Sequence, residues 1–450
     1  MISNNTFSII EHQAFSKEDL QGIFKEKAKK FYQELEDFAK NNENFLSFKN
    51  KNTLKAKNYI GIIQTKSGTL EILPKCTNLD SYKDKECKLS TISKEKLLKN
   101  YILNQMSQAK TSENFYGEDF DFNPKILLIN MLKTLKNSPF KKSQISSLQI
   151  SKMPLLEIFI AMFLDELDEV YKKGLKKDYI SIEENRKFLK GKLQFSEHLK
   201  QNLVHKERFF TQSDEFMLDI APNRLIKSTL NLLKPKTTHH KFKIIKALEM
   251  FDEVGFSTNY EKDFTYKISR HFDYYENLLS WCKIFLQNQT FAPYKGKNEA
   301  FALLFPMEKL FEDYVAHMLK KANPTQNIKT QSSGKYLISK KGEKCFMLKP
   351  DLYIENETIL DTKWKIPDSN EDKKHGIAQS DLYQMFAYAC KFKIHDIKLI
   401  YPLCERTMNL QDTIKELEFN ANEHLAFLND NNDPLKTNIK VQVIFAPLPF

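Results

Sequence analysis

The stretch LKPDLYIENETILDTKWK, residues 348–365, constrains the fold of this 450-residue chain more than any other part of its sequence. Two apolar runs flank a polar segment at 355–357, and three residues are a common loop length for a hairpin of antiparallel strands. A loop of this length pairs Ile354 with Thr358. The sequence therefore predicts a β-hairpin with a defined register.

That register gathers three charged side chains on one face. Continuing the pairing places Asp351 directly across from Asp361, and cross-strand partners lie about 5 Å apart on a shared face. Lys363 lies two residues beyond Asp361, so it belongs to the same face. The other face is apolar and is expected to enter a core. It carries Leu352, Ile354 and Leu360.

These three groups suit metal-dependent hydrolysis of a phosphodiester. Two close carboxylates repel each other unless a cation lies between them, and Mg²⁺ prefers oxygen ligands and retains several waters. A bound metal lowers the pKa of its water and neutralises charge on the phosphate, while a lysine ammonium can stabilise that charge or orient the attacking water. The alternative is an ordinary solvated hairpin with Asp–Lys pairs, since short patterns of this kind recur by chance.

A helix predicted at 378–391 adds two polar groups after the hairpin. Gln384 and Tyr388 are i, i+4 neighbours, and Asp381 lies on the same side. Gln384 could hydrogen-bond a phosphate or a metal-bound water, with Tyr388 in support. The alternative is the polar face of a surface helix. The opposite, apolar face consists of Leu382, Met385, Phe386 and Ala389.

The chain as a whole is predicted to be a mixed α/β (α+β) protein of three regions. Residues 1–125 form an N-terminal α/β domain, with helix at 17–40 and a hairpin at 59–75 that turns at Lys66-Ser67-Gly68. Residues 126–290 are mainly helical, with a β insertion near 179–220 in which 190–192 could turn a hairpin. The polar run at 81–96 is predicted to be a surface segment.

Residues 291–450 are predicted to form a mixed sheet flanked by helices, in the order α-β-β-β-α-β. The first helix is MEKLFEDYVAHMLKKA, which Asn323-Pro324 ends. The predicted strands lie at 335–340, 345–354, 358–364, 396–403 and 438–448.

Composition limits the kinds of binding partner and the cellular compartment that we expect for this chain. A net charge of +11 and a pI near 9.0 favour an acidic partner such as nucleic acid, although an AT-rich coding sequence would also produce a lysine-rich chain. The six cysteines include no CxxC pair, which fits reduced thiols and no zinc site. The N-terminus lacks a signal-peptide pattern, and the longest apolar run, 155–164, is too short to span a bilayer. We expect a soluble, cytoplasmic protein without a membrane partner.

The residues of the hairpin and helix carry a family resemblance. The pattern PD…DTK followed by QMFAY resembles the PD-(D/E)xK nuclease superfamily, in its branch with a Gln-x-x-x-Tyr helix. GIIQTKSGTLEILPK, MEKLFEDYVAHML and the hairpin with its helix together resemble the McrC family, the nuclease subunits of McrBC modification-dependent restriction systems. Three separated matches in the same order are far more specific than any one of them.

The resemblance implies a set of site residues. Glu312 matches the superfamily's first acid, with Glu308 one turn earlier as the alternate. The implied metal ligands for Mg²⁺, with Mn²⁺ as a substitute, are Asp351, Asp361 and Glu312. The implied catalytic set adds Lys363, Gln384 and Tyr388.

The resemblance also implies partners. These are a GTP-hydrolysing AAA+ ring like McrB, which recognises the DNA, and double-stranded DNA containing a modified cytosine such as 5-methylcytosine. The chain itself has no GxxxxGK[ST], so we expect it to bind no nucleotide by that route. The hairpins at 59–75 and 179–210, with Lys190, Lys192 and Arg208, are candidates to contact the ring.

Two other functions remain open at this point. The chain could be a non-catalytic regulatory subunit of an AAA+ motor, which would keep the fold without needing the acids. It could also be a stand-alone DNA-processing exonuclease, since Gln-x-x-x-Tyr nucleases often act on DNA ends.

Overall fold

A computed structural model describes fourteen parts of the chain. They are residues 6–76, 123–135, 138–142, 153–287, 300–331, 334–340, 342–368, 370–404, 407, 410, 416–418, 427–428, 434–435 and 439–449. The predicted surface segment at 81–96 lies outside them. Within these parts, no helix combines the length and the apolar composition that crossing a bilayer requires.

The chain divides into two compact units. One comprises Met1–Lys141, Ser146–Lys152 and Tyr294–Phe450, and the other comprises Lys142–Ile145 and Met153–Pro293. The predicted N-terminal range 1–125 and almost all of the predicted C-terminal range 291–450 thus fall in one unit.

The N-terminal part of the first unit packs helices against two small sheets. Its elements are β1 (Thr6–Ile10), β2 (Ala14–Ser16), α1 (Lys17–Phe24), α2 (Ala28–Asn41), β3 (Leu46–Asn50), β4 (Thr53–Ala56), β5 (Tyr59–Gln64), β6 (Thr69–Leu73) and α3 (Pro124–Thr134). The predicted hairpin at 59–75 is confirmed, because β5 and β6 pair antiparallel around a turn closed by Thr65 N–H donating to Gly68 O at 2.9 Å.

The second unit is mainly helical. Its elements are α4 (Leu155–Lys173), β7 (Asp178–Arg186), β8 (Lys192–Leu193), α5 (Phe195–Asn202), β9 (Phe209–Met217), α6 (Ala221–Leu233), α7 (Lys241–Glu249), α8 (Tyr260–Asp263) and α9 (Tyr275–Leu286). The predicted β insertion is present as a three-stranded sheet. The hairpin predicted at 190–192 was wrong, since β7 and β8 both pair with β9 instead of with each other.

The C-terminal part of the first unit holds the largest sheet. Its elements are β10 (Phe301–Pro306), α10 (Met307–Ala322), β11 (Ile328–Thr330), β12 (Lys335–Lys340), β13 (Glu343–Leu348), β14 (Leu352–Ile354), β15 (Thr358–Thr362), α11 (Gln379–Phe392), β16 (Asp396–Leu403), β17 (Glu416–Glu418), β18 (Phe427–Leu428), β19 (Pro434–Leu435) and β20 (Lys440–Pro447). Short 3₁₀ turns lie at Lys25–Lys27, Pro139–Lys142, Arg270–Phe272 and Glu371–Gly376.

The six-stranded sheet is mixed, as predicted, in the order β11-β14-β15-β16-β20-β17. The pairs β15–β16 and β16–β20 are parallel and the other three are antiparallel. Strands β12 and β13 are not part of it; they form a separate two-stranded hairpin. Helix α10 precedes the sheet, and α11 connects β15 to β16.

Strand β10 joins the two ends of the first unit. It pairs antiparallel with β5, with Leu304 opposite Gly61, and so completes the order β1-β6-β5-β10. Gly61 has a φ of +133°, and a Cβ atom there would lie 2.0 Å from the carbonyl oxygen of Leu303. Only glycine allows this approach of the two strands.

A buried carboxylate makes a second connection in this unit. Glu11, 2% exposed, accepts a hydrogen bond from Trp364 Nε1 at 2.5 Å and one from Lys75 N at 3.2 Å. Lys75 Nζ lies 3.7 Å from Glu11 Oε2 and donates to Trp364 O at 2.9 Å. Since Trp364 directly follows Lys363, the end of β6 is held against the chain that leaves the charged hairpin.

In the second unit, a buried glutamate organises the start of α7. Glu157 accepts hydrogen bonds from Thr237 Oγ1 at 2.5 Å and from Thr238 N at 2.8 Å. Burial disfavours its charge, but these donors and His239 outweigh that effect, so the pKa of Glu157 is lowered. The negative charge also lies favourably near a helix N-terminus.

The Gly61→Ala variant should lose about 2–4 kcal/mol of unfolding free energy, because the new methyl group collides with the backbone of β10. Gly22→Ala is the matched control. Gly22 lies within α1 and has no atom within 4 Å of a built Cβ, so alanine there should stabilise the protein by up to about 1 kcal/mol. Urea unfolding measures both, and equal effects would contradict the close approach of β5 and β10.

The Glu157→Gln variant should reveal a pH-dependent stabilisation. Because the folded pKa lies below the unfolded value, the ionised group's contribution is fully present above about pH 4.3 and is lost as pH falls through the folded pKa. The difference in unfolding free energy between wild type and variant should therefore be largest near pH 7, at about 2 kcal/mol, and shrink in acid. A difference that grows in acid would refute this assignment.

Candidate active site

The charged hairpin has the predicted register. Ile354 pairs with Thr358 and Leu352 with Leu360, and one further step along both strands brings Asp351 opposite Asp361. The predicted core face is buried, with Leu352, Ile354 and Leu360 at most 3% exposed. The turn residue Asn356 takes the left-handed conformation, with a φ of 58°, which asparagine tolerates better than most residues.

Asp361 is the most buried charged group of the hairpin. It is 1% exposed, and its Oδ2 lies 2.5 Å from Lys363 Nζ. Among the described residues, this oxygen has no donor other than the Lys363 ammonium group. Burial, followed by repulsion from Asp351, raises the pKa of Asp361 to about 7, against the opposing effect of Lys363. A cation near the two acids would relieve both effects.

Asp351 is held by the residue that follows Asp361. Its Oδ2 accepts hydrogen bonds from Thr362 N at 2.8 Å and from Thr362 Oγ1 at 2.6 Å. Both hydrogen bonds go to Oδ2, so the second carboxylate oxygen of Asp351 takes part in neither of them. Sequence reasoning had assigned no role to Thr362, although it lies between Asp361 and Lys363.

Helix α10 supplies a third acid nearby. Glu312 is 8% exposed, whereas Glu308 is exposed to solvent. Burial and then repulsion from Asp351 raise the pKa of Glu312, while Lys309 and Gln331 act to lower it. Of the two acids that the sequence left open, Glu312 is therefore the one that lies near the hairpin.

Gln331 links Glu312 to the hairpin. Its Nε2 donates to Glu312 Oε1 at 2.7 Å, and its backbone N–H donates to Asp351 O at 3.0 Å. Its φ of 51° is unusual for a residue other than glycine. Sequence reasoning missed Gln331, because no local pattern marks a residue that connects two elements distant in the chain.

Helix α11 extends the site by a chain of hydrogen bonds. Lys363 Nζ donates to Gln384 Oε1 at 2.8 Å, Gln384 Nε2 donates to the Tyr388 hydroxyl at 2.8 Å, and that hydroxyl donates to Lys349 O at 3.0 Å. Tyr388 is 2% exposed. Tyr388 therefore faces the protein interior, and the alternative of a solvated polar face was wrong for this residue.

A second Lys–Asp pair lies beside the first. Lys365 Nζ donates to Asp381 Oδ2 at 2.6 Å, and Asp381 is 6% exposed. The sequence placed Asp381 on the polar side of α11 but assigned it no partner. Its charge contributes to raising the pKa of both Asp361 and Lys363.

The donor set fits a divalent cation held by two carboxylates. Asp361 presents a buried oxygen whose close partner among the described residues is the Lys363 ammonium group, and Mg²⁺ is commonly bound through one or two carboxylates with waters completing the shell. Within the described parts of the chain, no group of three or more His, Cys, Asp or Glu side chains is arranged to hold a metal. Asp351, Asp361 and Glu312 as metal ligands all stay predictions.

The fold and this site define a mixed α/β protein whose largest sheet carries two acids and a lysine on one hairpin face. Residues 54–402 match the family described as McrBC 5-methylcytosine restriction system component. This match covers well over half of the sequence, so the chain belongs to that family. No curated protein matches it.

One solved structure shares this fold. A refined half-complex from the tetradecameric assembly of Thermococcus gammatolerans McrB AAA+ hexamers with bound McrC contains a chain that is 18% identical, with a TM-score of 0.62. That match covers 98% of this chain and 94% of that chain. The cryo-EM structure of the Thermococcus gammatolerans McrBC complex matches over 70% of this chain and 87% of that chain, at 19% identity and a TM-score of 0.44.

The Tyr388→Phe variant should lose about 1–2 kcal/mol of unfolding free energy, because Lys349 O loses its donor and Gln384 Nε2 its acceptor in a buried setting. Tyr383→Phe is the control on the same helix. Tyr383 is 64% exposed, so its change should stay within about 0.5 kcal/mol. Similar losses in both variants, measured by urea unfolding, would argue against the buried network.

Proposed function

We propose that this chain is the Mg²⁺-dependent endonuclease subunit of a cytoplasmic, modification-dependent restriction system. The observation that carries the proposal is the convergence of Asp351, Asp361 and Lys363 on one hairpin face, with Lys363 bonded in turn to Gln384. Membership of the McrBC family supports the same function. The reaction is hydrolysis of a phosphodiester bond in double-stranded DNA.

Each group has a defined part in this proposal. Asp351 and Asp361 hold the divalent cation, which when bound would activate a water and neutralise charge on the phosphate. Lys363 places an ammonium group beside Asp361, where it can stabilise negative charge that develops on the phosphate. Gln384 accepts a hydrogen bond from Lys363 and so fixes the direction of that ammonium group.

The supporting residues keep the acids in place. Thr362 directs one oxygen of Asp351, and Gln331 connects the hairpin with Glu312. Partners in such an outer shell orient the ligands, and their loss typically reduces metal affinity or activity by about 10- to 100-fold.

The proposed partner is an AAA+ GTPase ring like McrB. The similar solved chain belongs to an assembly of McrB AAA+ hexamers with bound McrC. This chain has no P-loop motif of its own, so a second subunit would supply nucleotide energy and, in this proposal, recognise the modified cytosine. The β7–β9–β8 sheet is a candidate contact, since Tyr179, Leu189 and Phe216 are each more than half exposed.

The Asp361→Asn variant should abolish DNA cleavage while preserving the complex. The assay combines the chain with the AAA+ protein encoded beside it, GTP, Mg²⁺ and methylated or unmethylated DNA. Asp396→Asn is the matched control, because Asp396 lies at the far end of the neighbouring parallel strand, opposite Thr358. We expect the control to cut methylated DNA at the wild-type rate.

Three outcomes would overturn or redirect the proposal. Unchanged cutting by Asp361→Asn would place the catalytic residues elsewhere. Normal restriction after replacement of both Asp351 and Asp361 would favour a non-catalytic regulatory subunit. Strong cutting by the purified chain without partner or nucleotide would favour a stand-alone nuclease.

Metal binding can be tested apart from cleavage. A ligand that binds only the folded state raises its stability, so Mg²⁺ or Mn²⁺ should raise the thermal midpoint of the wild type. The rise should be absent in Asp361→Asn and intact in Asp396→Asn. An equal rise in all three proteins would indicate binding away from the hairpin.

A further inference from the structure

The hairpin of β12 and β13 lies outside the large sheet. Its strands pair only with each other, and most of its side chains are exposed. Several of these are apolar, a costly arrangement for a surface in water. They include Leu337 at 40%, Ile338 at 51%, Phe346 at 70% and Met347 at 41% exposed. A surface of this kind is typical of a binding element.

The same hairpin carries a positive charge. The exposed lysines of the described segments 334–340 and 342–349 are Lys335, Lys340, Lys344 and Lys349, against the single acid Glu343. Within the described residues, none of these four ammonium groups forms an ion pair. Lys344 Nζ lies 5.7 Å from the centre of the Tyr336 ring. The positive charge of the hairpin favours an anionic partner.

A groove of about 460 Å³ separates this hairpin from helix α11. The hairpin side is lined by Leu337, Met347 and Lys349, and the helix side by Tyr383 and Gln384. Tyr383 is 64% exposed, and Gln379 Nε2 donates a hydrogen bond to its hydroxyl. The lining thus combines apolar and aromatic surface with a lysine at one edge.

The groove is continuous with the proposed active site. Gln384 lines the groove and accepts the hydrogen bond of Lys363, and Tyr388, which also lines it, donates to the backbone oxygen of Lys349. A strand whose phosphate lies at the two acids therefore has its neighbouring nucleotides beside this groove.

We propose that the groove between the β12–β13 hairpin and α11 seats the cleaved DNA strand next to the scissile phosphate. This inference rests on the proposed nuclease function. Lys349 contacts the nearest phosphate, and Lys335 and Lys344 contact phosphates further along. Tyr383 and Met347 pack against the sugars, or against a base that leaves the stack, since aromatic side chains bind nucleotides in this way with little dependence on sequence.

The test measures binding of a fluorescein-labelled DNA duplex to the full chain by anisotropy, in EDTA so that the strand stays intact. The triple variant Lys335→Gln, Lys344→Gln, Lys349→Gln removes three proposed phosphate contacts. The logarithm of the binding constant falls as the logarithm of the salt concentration rises. Each lost contact reduces the magnitude of this negative slope by about 0.9. We expect a slope reduced by about 2 to 3 and a Kd raised on the order of tenfold or more at low salt.

The charge-matched control replaces three exposed lysines of the N-terminal helices, Lys25→Gln, Lys29→Gln and Lys30→Gln. It should bind DNA with the wild-type slope. Tyr383→Ala adds an independent readout: it should raise Kd several-fold with an unchanged slope, because an apolar contact releases no counterions. Lys349→Gln alone should lower the slope by about 1.

Equal losses in the two triple variants would show that only overall charge matters and would overturn the proposal, as would absence of DNA binding by the wild-type chain. Loss of assembly with the AAA+ partner, with DNA binding unchanged, would identify the hairpin as a protein contact and also overturn it. The cleavage assay keeps the two proposals distinct. If the hairpin triple variant loses DNA binding but Asp361→Asn still cuts, the groove stands and the proposed active site fails; the reverse pattern refutes the groove alone.

Discussion

The site depends on holding two like charges close together in a largely buried setting. Asp361 is 1% exposed and lies opposite Asp351, an arrangement that both desolvation and repulsion oppose. Lys363 offsets part of that penalty from the same strand, because alternate residues share a face. Because the setting is largely buried, the other polar atoms of the hairpin need hydrogen-bond or ion-pair partners.

The pairing is distributed over elements distant in the chain. Thr362 binds Asp351 across the hairpin, Gln331 joins Asp351 to Glu312 on α10, and Gln384 joins Lys363 to Tyr388 on α11. Such networks fix side-chain directions when every member is satisfied. Asp361 Oδ2 has the Lys363 ammonium group as its one close donor among the described residues.

A further set of contacts connects the charged hairpin to the N-terminal sheets. The Glu11 carboxylate binds Trp364, the residue after Lys363, and Lys75 at the end of β6 bonds the Trp364 backbone. Phe311 of α10 also packs against Trp364, with ring centres 5.2 Å apart. Trp364 thus joins three parts of the first unit next to Lys363 in the chain, and it is 3% exposed.

From the sequence alone follow the local features: the register of the charged hairpin, the helix before it, and the helix predicted at 378–391, which the structure has at Gln379–Phe392. Alternation of apolar residues, loop length and helical spacing depend on residues close together in the chain, so they can be recognised in the sequence. Tertiary structure alone decided that β10 pairs with β5, that β7 pairs with β9 instead of β8, and that β12 and β13 leave the large sheet. It also placed Gln331 between two acids and buried Tyr388. These outcomes depend on contacts between residues far apart in the chain. Packing and hydrogen-bond energies decide which of several possible partners each strand or side chain takes, and no local sequence pattern indicates that result.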